Sequence, residues 1–458
     1  MGVVNPTRER LVLCFDGTWN SLASHTNVSN LYAQIADETC GLASQRKFYD
    51  EGVGTGQFDR IRGGAFGMGM DRNIRTGYAW LATQFTAQPT PVRSPAPAPV
   101  AAASCATRPA TGIQRLANGD LPSTPQPREG LEFVTGPDIF LFGFSRGAFT
   151  ARSLAGLINF LGIPRQLGRN RKAASLALAD DPQIRDAWEL YRTRPKPGAR
   201  LTDTYAKRLD AFRQNCHYPV RIHFVGVWDT VGALGIPRVF DEDWLWRFSN
   251  RYEFHDTRLG AGVRNAFHAL AIDEHRLPYT PALWTDAAPT TEAVEQRWFP
   301  GAHADVGGGY ENCLLPAPPL KWIADRAAEC GLEFLNDRRT AVAGQIPPSL
   351  AQAPASFELD GREHLSPVHD SYASFLGGTY KAMRSLPFVG GGPVYRRMLV
   401  RLDGINQTVD PTAFAKWRAD DDYRPPNLAQ AGRTDVSFNA VSDPAPDGKN
   451  YVVSAGAV

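Results

Sequence analysis

Asp138-Ile139-Phe140-Leu141-Phe142-Gly143-Phe144-Ser145-Arg146-Gly147-Ala148 decides the fold. Asp138 to Phe142 is a short apolar run of strand length, and it leads without a break into Gly-x-Ser-x-Gly. Downstream, Leu154, Leu157, Ile158 and Leu161 recur at i, i+3, i+4 and i+7, the period of a helix with one buried face. Strand, glycine-flanked serine and helix in that order make the setting of a nucleophile elbow: a sharp turn lifts Ser145 above the sheet, and Gly143 and Gly147 let neighbouring backbones pass. The Arg146 N–H then lies at a helix N-terminus, where it can meet a developing oxyanion. The alternative is an ordinary strand-to-helix turn with Ser145 as its N-cap.

The same alternation extends in both directions. Leu11 to Phe15 reads as a buried parallel strand closed by Asp16-Gly17; Asn27 can cap a helix carrying Val28, Leu31 and Ile35, and a second helix is expected after Asp71. From about Thr86 to Pro127 the pattern gives way to Pro, Ala, Thr and Ser, which cannot bury enough apolar surface to offset their ordering entropy, so a disordered or extended insertion is expected there. After the elbow, helices are expected over residues 171–192 and 202–216, strands over 220–227, 266–272 and 295–299, and a helix over 320–330 ended by Gly331. Past Asp403 the signals weaken. These alternations predict an α/β fold of α/β-hydrolase type, a mostly parallel sheet flanked by helices. The expected domains are a catalytic one over 8–376, interrupted at 86–127, and a partly irregular C-terminal extension over 377–458.

The chain has 458 residues, with 49 basic residues against 47 acidic ones, and no long basic run marks a nucleic-acid partner. Cys14, Cys40, Cys105, Cys216, Cys313 and Cys330 lie far apart, without zinc-site spacing; they read as free thiols, a disulfide between distant ones being the alternative. The Met1 to Arg10 start lacks the apolar core of a signal peptide, and no segment has the apolar length to span a bilayer, so a soluble product without a Sec-type address is expected.

A serine hydroxyl needs a histidine base, and the base needs a carboxylate to hold its tautomer. In α/β-hydrolases the chain order is Ser, acid, His, each beyond a strand end. Asp229 follows the apolar strand through Val227, and His303 follows the strand ending at Phe299, within a glycine-rich turn. Asp273 is the alternative acid; His268 and His369 are the alternative bases; Asp305 is expected to brace the turn. Gly17 and Thr18, just beyond the first strand, are candidates for the second oxyanion donor. Asp16 can equally be a turn and cap residue, and Cys14 stands where an aspartyl-phosphate enzyme would carry its nucleophilic aspartate.

A competing reading gathers Asp16, Asp229, His303 and Asp305 around a hydrolytic metal, although no compact ligand motif is present. The glycine-rich stretches at 52–56 and 63–69 lack the spacing of a phosphate cradle and suit a loop near the site. Trp244, Leu245, Trp246 and Phe248 are read first as packed core and second as a cap over the site or a contact to acyl chains.

Six ordered blocks now stand together: Leu13-Cys14-Phe15-Asp16-Gly17-Thr18-Trp19-Asn20, Thr26-Asn27-Val28, Gly143 to Ala148, Gly226-Val227-Trp228-Asp229-Thr230-Val231-Gly232, His268 to Glu274, and Trp298 to Gly309. Spanning Leu11 to Leu376, they resemble the catalytic domain of the type VI secretion phospholipase effectors, a family that includes uncharacterised bacterial and fungal proteins. The resemblance implies lipid ester hydrolysis of phospholipase A type with Ser145 as nucleophile, and it carries the acid and base onto Asp229 and His303. It calls for no cofactor; the expected partner is a lipid or other ester substrate, with peripheral membrane contact as a further possibility. The Pro/Ala insertion departs from the family pattern, and the long membrane-binding module of the larger effectors is not expected after the catalytic region. Two other readings are a metal-dependent hydrolase and a catalytically dead lipid- or protein-binding module.

Overall fold

The computed structural model describes residues 9–17, 20–37, 44–52, 66–86, 132–165, 167, 178–195, 202–231, 257–276, 279–311, 314–335, 359–371, 404–431 and 451–452. The Pro/Ala stretch from residue 87, residues 53–56 and 63–65 of the glycine-rich stretches, the aromatic cluster at 244–248 and Thr18 lie outside the described residues.

The strands of the central sheet are β1 (Arg10–Phe15), β2 (Gln45–Asp50), β3 (Asp138–Phe144), β4 (Ile222–Trp228), β5 (Val263–Ala271), β6 (Ala293–Phe299), β7 (Gln407–Val409) and β8 (Tyr451–Val452). Their spatial order is β8-β7-β6-β5-β4-β3-β1-β2; β8 is antiparallel to β7, and every other pairing is parallel. β7 and β8 belong to the stretch read as a C-terminal extension and continue the sheet at one edge.

Among the described residues the α-helices are α1 (Asn27–Gln34), α2 (Phe66–Gln84), α3 (Arg146–Leu161), α4 (Pro182–Arg192), α5 (Asp203–Gln214), α6 (His303–Gly307), α7 (Ala317–Glu329), α8 (Pro411–Ala419) and α9 (Pro426–Ala431). Successive side chains of a strand point to opposite faces, so an apolar run supplies two cores at once. Leu11, Leu13 and Phe15 join Ile139 and Leu141 under α2 to α5, whereas Val12 and Cys14 join Phe140, Phe142 and Phe144 under α1 and α7. A third apolar cluster seats Phe414, Tyr423 and Leu428 of the C-terminal segment on Leu270, Ile272 and Trp298.

Several expectations shift in detail. Thr26, not Asn27, caps α1 by accepting the Ser29 N–H; Asn27 is buried and donates to the carbonyls of Val306 and Pro316. α2 begins ahead of Asp71, at Phe66. Cys14 and Cys216 are free and buried, but Cys330 is disulfide-bonded, a correction to the free-thiol reading. A bridge between distant cysteines leaves no spacing signal in the sequence.

Because β1 has β2 on one side and β3 on the other, the chain reverses direction across the sheet at β1. Crevices at the carboxyl ends of strands beside such a switch point are where α/β sheets bind ligands. β3 delivers Ser145 to this crevice, and α3 starts so close to β1 that a Cβ on Gly147 would stand 2.1 Å from the Phe15 carbonyl oxygen and 2.5 Å from that of Asp16. Both obstacles are backbone and cannot rotate away. Gly147→Ala is therefore expected to destabilise the fold by about 3 kcal/mol, as overpacking of a close-packed site does, which urea unfolding monitored by tryptophan fluorescence would read directly.

Candidate active site

The turn between β3 and α3 holds Ser145 at φ 58° and ψ −119°, a conformation that L side chains rarely adopt and that costs about 1–3 kcal/mol. The Ser145 N–H donates to the Trp228 carbonyl at 3.0 Å, which ties the turn to the end of β4. Its side chain makes no capping bond to α3, so the ordinary N-cap alternative does not describe it. Instead Ser145 Oγ lies 2.8 Å from Nε2 of His303.

His303 opens α6 just beyond β6, and its Nδ1 is 2.6 Å from Oδ2 of Asp229. Asp229 follows β4 with φ 38° and is fully buried; its Oδ1 accepts the Ala271 N–H at 3.1 Å. With Oδ2 occupied by His303, the carboxylate fixes one tautomer: Nδ1 carries the proton, and Nε2 presents a lone pair to the serine hydroxyl. Three residues distant in sequence thus converge at the carboxyl ends of three parallel strands.

The imidazole stands between the rings of Phe144 and Tyr279, with centroids at 4.7 and 4.8 Å. Burial lowers the His303 pKa below its ordinary 6.5, against the opposing pull of Asp229. The neutral form is the one that can take a proton, so a rate governed by His303 should rise with pH through an inflection below 6.5 and stay level through neutrality. A kcat/KM profile on a soluble ester checks this; an inflection above 6.5 would contradict it.

The other expected residues have separate positions. The Arg146 N–H occupies the first turn of α3, where helix N–H groups lack intrahelical partners. Its guanidinium is largely buried, and desolvation lowers its pKa to about 10, so it stays charged at neutral pH. The Gly17 N–H donates to Asp16 Oδ1 at 2.6 Å. Asp16 also accepts from Thr26 Oγ1 and the Tyr49 hydroxyl, each at 2.6 Å, and acts as the knot of its turn.

Asp273 serves other groups: its Oδ2 accepts the Gly301 N–H at 2.7 Å and the Tyr423 hydroxyl at 2.9 Å, while His303 Nδ1 bonds to Asp229. His268 is fully buried within β5, where its Nε2 accepts the Thr230 N–H and its Nδ1 faces Gln296. His369 bonds to Asp305 at 2.6 Å, and Asp305 accepts the Ala302 N–H at 2.9 Å, the bracing bond expected of it. Among the described residues no group of three or more His, Cys, Asp or Glu side chains is disposed to hold a metal ion.

Sequence reasoning gave no role to Glu274, which lies fully buried behind the base. It pairs with Arg276 through two bonds of 2.8 and 2.7 Å, and its Oε2 faces the His303 N–H at 3.3 Å. Its signal was available: an acid next to the end of a buried strand, two positions before an arginine.

Three comparisons bear on kinship. An uncharacterized protein of Saccharomyces cerevisiae is 24% identical over 391 residues, covering 73% of this chain and 46% of the relative. A crystal structure of an uncharacterized protein from Pseudomonas aeruginosa superposes with a TM-score of 0.39 and 18% identity, covering 75% of this chain and 48% of that one. The chain therefore spans about half the length of each. The family described as "T6SS, Phospholipase effector Tle1-like, catalytic domain" matches residues 9–326. With more than half its length matched, the chain belongs to the Tle1-like phospholipase effector catalytic-domain family of type VI secretion.

Proposed function

We propose that this protein is a serine hydrolase that cleaves carboxylic esters of phospholipids through an acyl-enzyme, on an α/β-hydrolase fold. The observation that carries this reading is the continuous hydrogen-bonded line Ser145–His303–Asp229, 2.8 and 2.6 Å long, at the switch-point edge of the sheet. Family membership supports a phospholipase or lipase activity.

His303 Nε2 takes the Ser145 proton as Oγ attacks the ester carbonyl, and a C–O bond forms. The Arg146 N–H receives the oxyanion. The second donor proposed is a backbone N–H of the turn after β1, from Gly17 or Thr18. Collapse of the tetrahedral intermediate breaks the ester bond, and the imidazolium returns its proton to the leaving alcohol. Water then repeats the sequence, giving a proton to His303 and releasing the carboxylic acid. Asp229 holds the imidazole orientation and balances its transient charge throughout. The catalytic unit proposed is 8–376 with 86–127 as an insertion, followed by an extension over 377–458.

The test is incubation with phosphatidylcholine and phosphatidylethanolamine vesicles, followed by mass spectrometry of the lipids. Equal release of fatty acid and lysophospholipid by the wild type, and neither by Ser145→Ala, is expected. Release of a phosphorylated headgroup instead would place the cleaved bond at phosphorus and refute the assignment.

A further inference from the structure

The turn that presents His303 has an unusual support. Three consecutive backbone N–H groups are each accepted by a different buried carboxylate: Gly301 by Asp273 at 2.7 Å, Ala302 by Asp305 at 2.9 Å, and His303 by Glu274 at 3.3 Å. Such a row of donors would otherwise point into a low-dielectric interior, where each unmet N–H costs about 1–3 kcal/mol. Gly301, at φ 115°, supplies the backbone conformation that lines them up.

Each of these carboxylates also bonds to a residue from beyond 326, where the family match ends, Glu274 doing so in addition to its pair with Arg276. His369 Nδ1 lies 2.6 Å from Asp305 and its backbone N–H donates to the same carboxylate at 3.1 Å; Ser371 Oγ donates to Glu274 at 3.2 Å; the Tyr423 hydroxyl donates to Asp273 at 2.9 Å. The two segments that carry them are themselves joined. Lys416 of α8 is buried and donates through Nζ to the carbonyls of His364 and Ser366, and Asn427 donates to the Ile272 carbonyl. The imidazole of His369 is further fixed by stacking on Tyr310, with centroids 3.9 Å apart.

We propose that the segments 359–371 and 411–428 form a clamp on the His303 turn, with His369, Ser371 and Tyr423 as positioning residues that act through Asp305, Glu274 and Asp273. The clamp rests on the reading of His303 as the base for its catalytic consequence, but not for its mechanical one. A carboxylate fixed at one end by the C-terminal segment and at the other by a turn N–H transmits position across a single rigid group. Loosening any of the three lets the imidazole drift, and a small misplacement of a base lowers the rate of proton transfer without changing the surface that binds substrate.

The test uses the full chain with Tyr423→Phe, Ser371→Ala, His369→Ala and His369→Asn, the last because an asparagine amide N–H can replace Nδ1–H. Two readouts are taken: amide hydrogen exchange at 301–303, which needs no activity, and kcat and KM on a soluble ester. The clamp predicts exchange at least tenfold faster in Tyr423→Phe, Ser371→Ala and His369→Ala, kcat lowered about tenfold with KM within twofold, and recovery of both readouts in His369→Asn. Unchanged exchange in all three variants of a folded protein overturns the clamp. Faster exchange with unchanged kcat overturns the positioning role. Faster exchange in a protein whose wild type turns over no ester supports the clamp and sinks the hydrolase reading instead.

Discussion

Replacing Ser145 by alanine is expected to lower ester turnover by about 10⁴-fold or more while leaving the fold intact. The size of the effect follows from how the three groups work together: without Oγ, His303 has no proton to take and Asp229 no imidazolium to balance, so one deletion costs nearly as much as losing all three. The side chain contributes little to folding, because it makes no capping bond and, among the described residues, bonds to His303 alone. The backbone adds a second expectation. A residue at φ 58° and ψ −119° is strained whatever its side chain, unless it is glycine. Ser145→Gly should therefore be inactive and more stable than the wild type by about 1 kcal/mol. Steady-state turnover and denaturant midpoints of the two variants, measured side by side, separate the roles; a Ser145→Ala protein retaining a tenth of wild-type turnover would refute the nucleophile.

Asp229→Asn is expected to lose about 10⁴-fold in kcat with little change in KM. The Ala271 N–H at 3.1 Å from Oδ1 demands an acceptor there, so an asparagine must place its oxygen on that side and its NH₂ toward His303. Two donors would then face each other across 2.6 Å unless the imidazole moves its proton to Nε2. With Nε2 protonated, the hydroxyl of Ser145 has no acceptor. The loss is thus one of tautomer rather than of geometry, and it should shrink as hydroxide begins to deprotonate the serine at high pH. A pH series of kcat for the variant checks this; equal loss at every pH would speak against the tautomer account.

These expectations rest on features of different legibility. The elbow could be read because its signal is local: an apolar strand, two small residues and a helical period lie within one stretch from Asp138 to Leu161. Asp229 and His303 could be placed because each follows a buried strand, and parallel strands end on a common edge. β2 escaped notice because Gln45-Arg46-Lys47-Phe48-Tyr49-Asp50 is an edge strand with largely half-buried positions, so its composition is that of a loop. β7 and β8, three and two residues long, are too short to show a period.

The choice of Thr26 over Asn27 as cap turned on tertiary structure: the Asn27 amide is needed by carbonyls at positions 306 and 316. The same holds for the supporting carboxylates. Asp273 and Glu274 could be seen beside a strand end, but their partners Ser371 and Tyr423 lie 97 and 150 positions away, and no local pattern links groups so far apart. Asp305 as a brace was legible, since it stands two places after His303 in a turn whose N–H groups need acceptors.

The central claim, an activated serine at position 145, is tested most directly by intact-mass analysis after incubation with a fluorophosphonate, which forms an Oγ–P bond as fluoride departs. The account predicts one adduct on the wild type, none on Ser145→Ala, and a much slower rate of labelling on Asp229→Asn. A folded wild type that gains no mass, or a Ser145→Ala protein labelled as fast as the wild type, would contradict it.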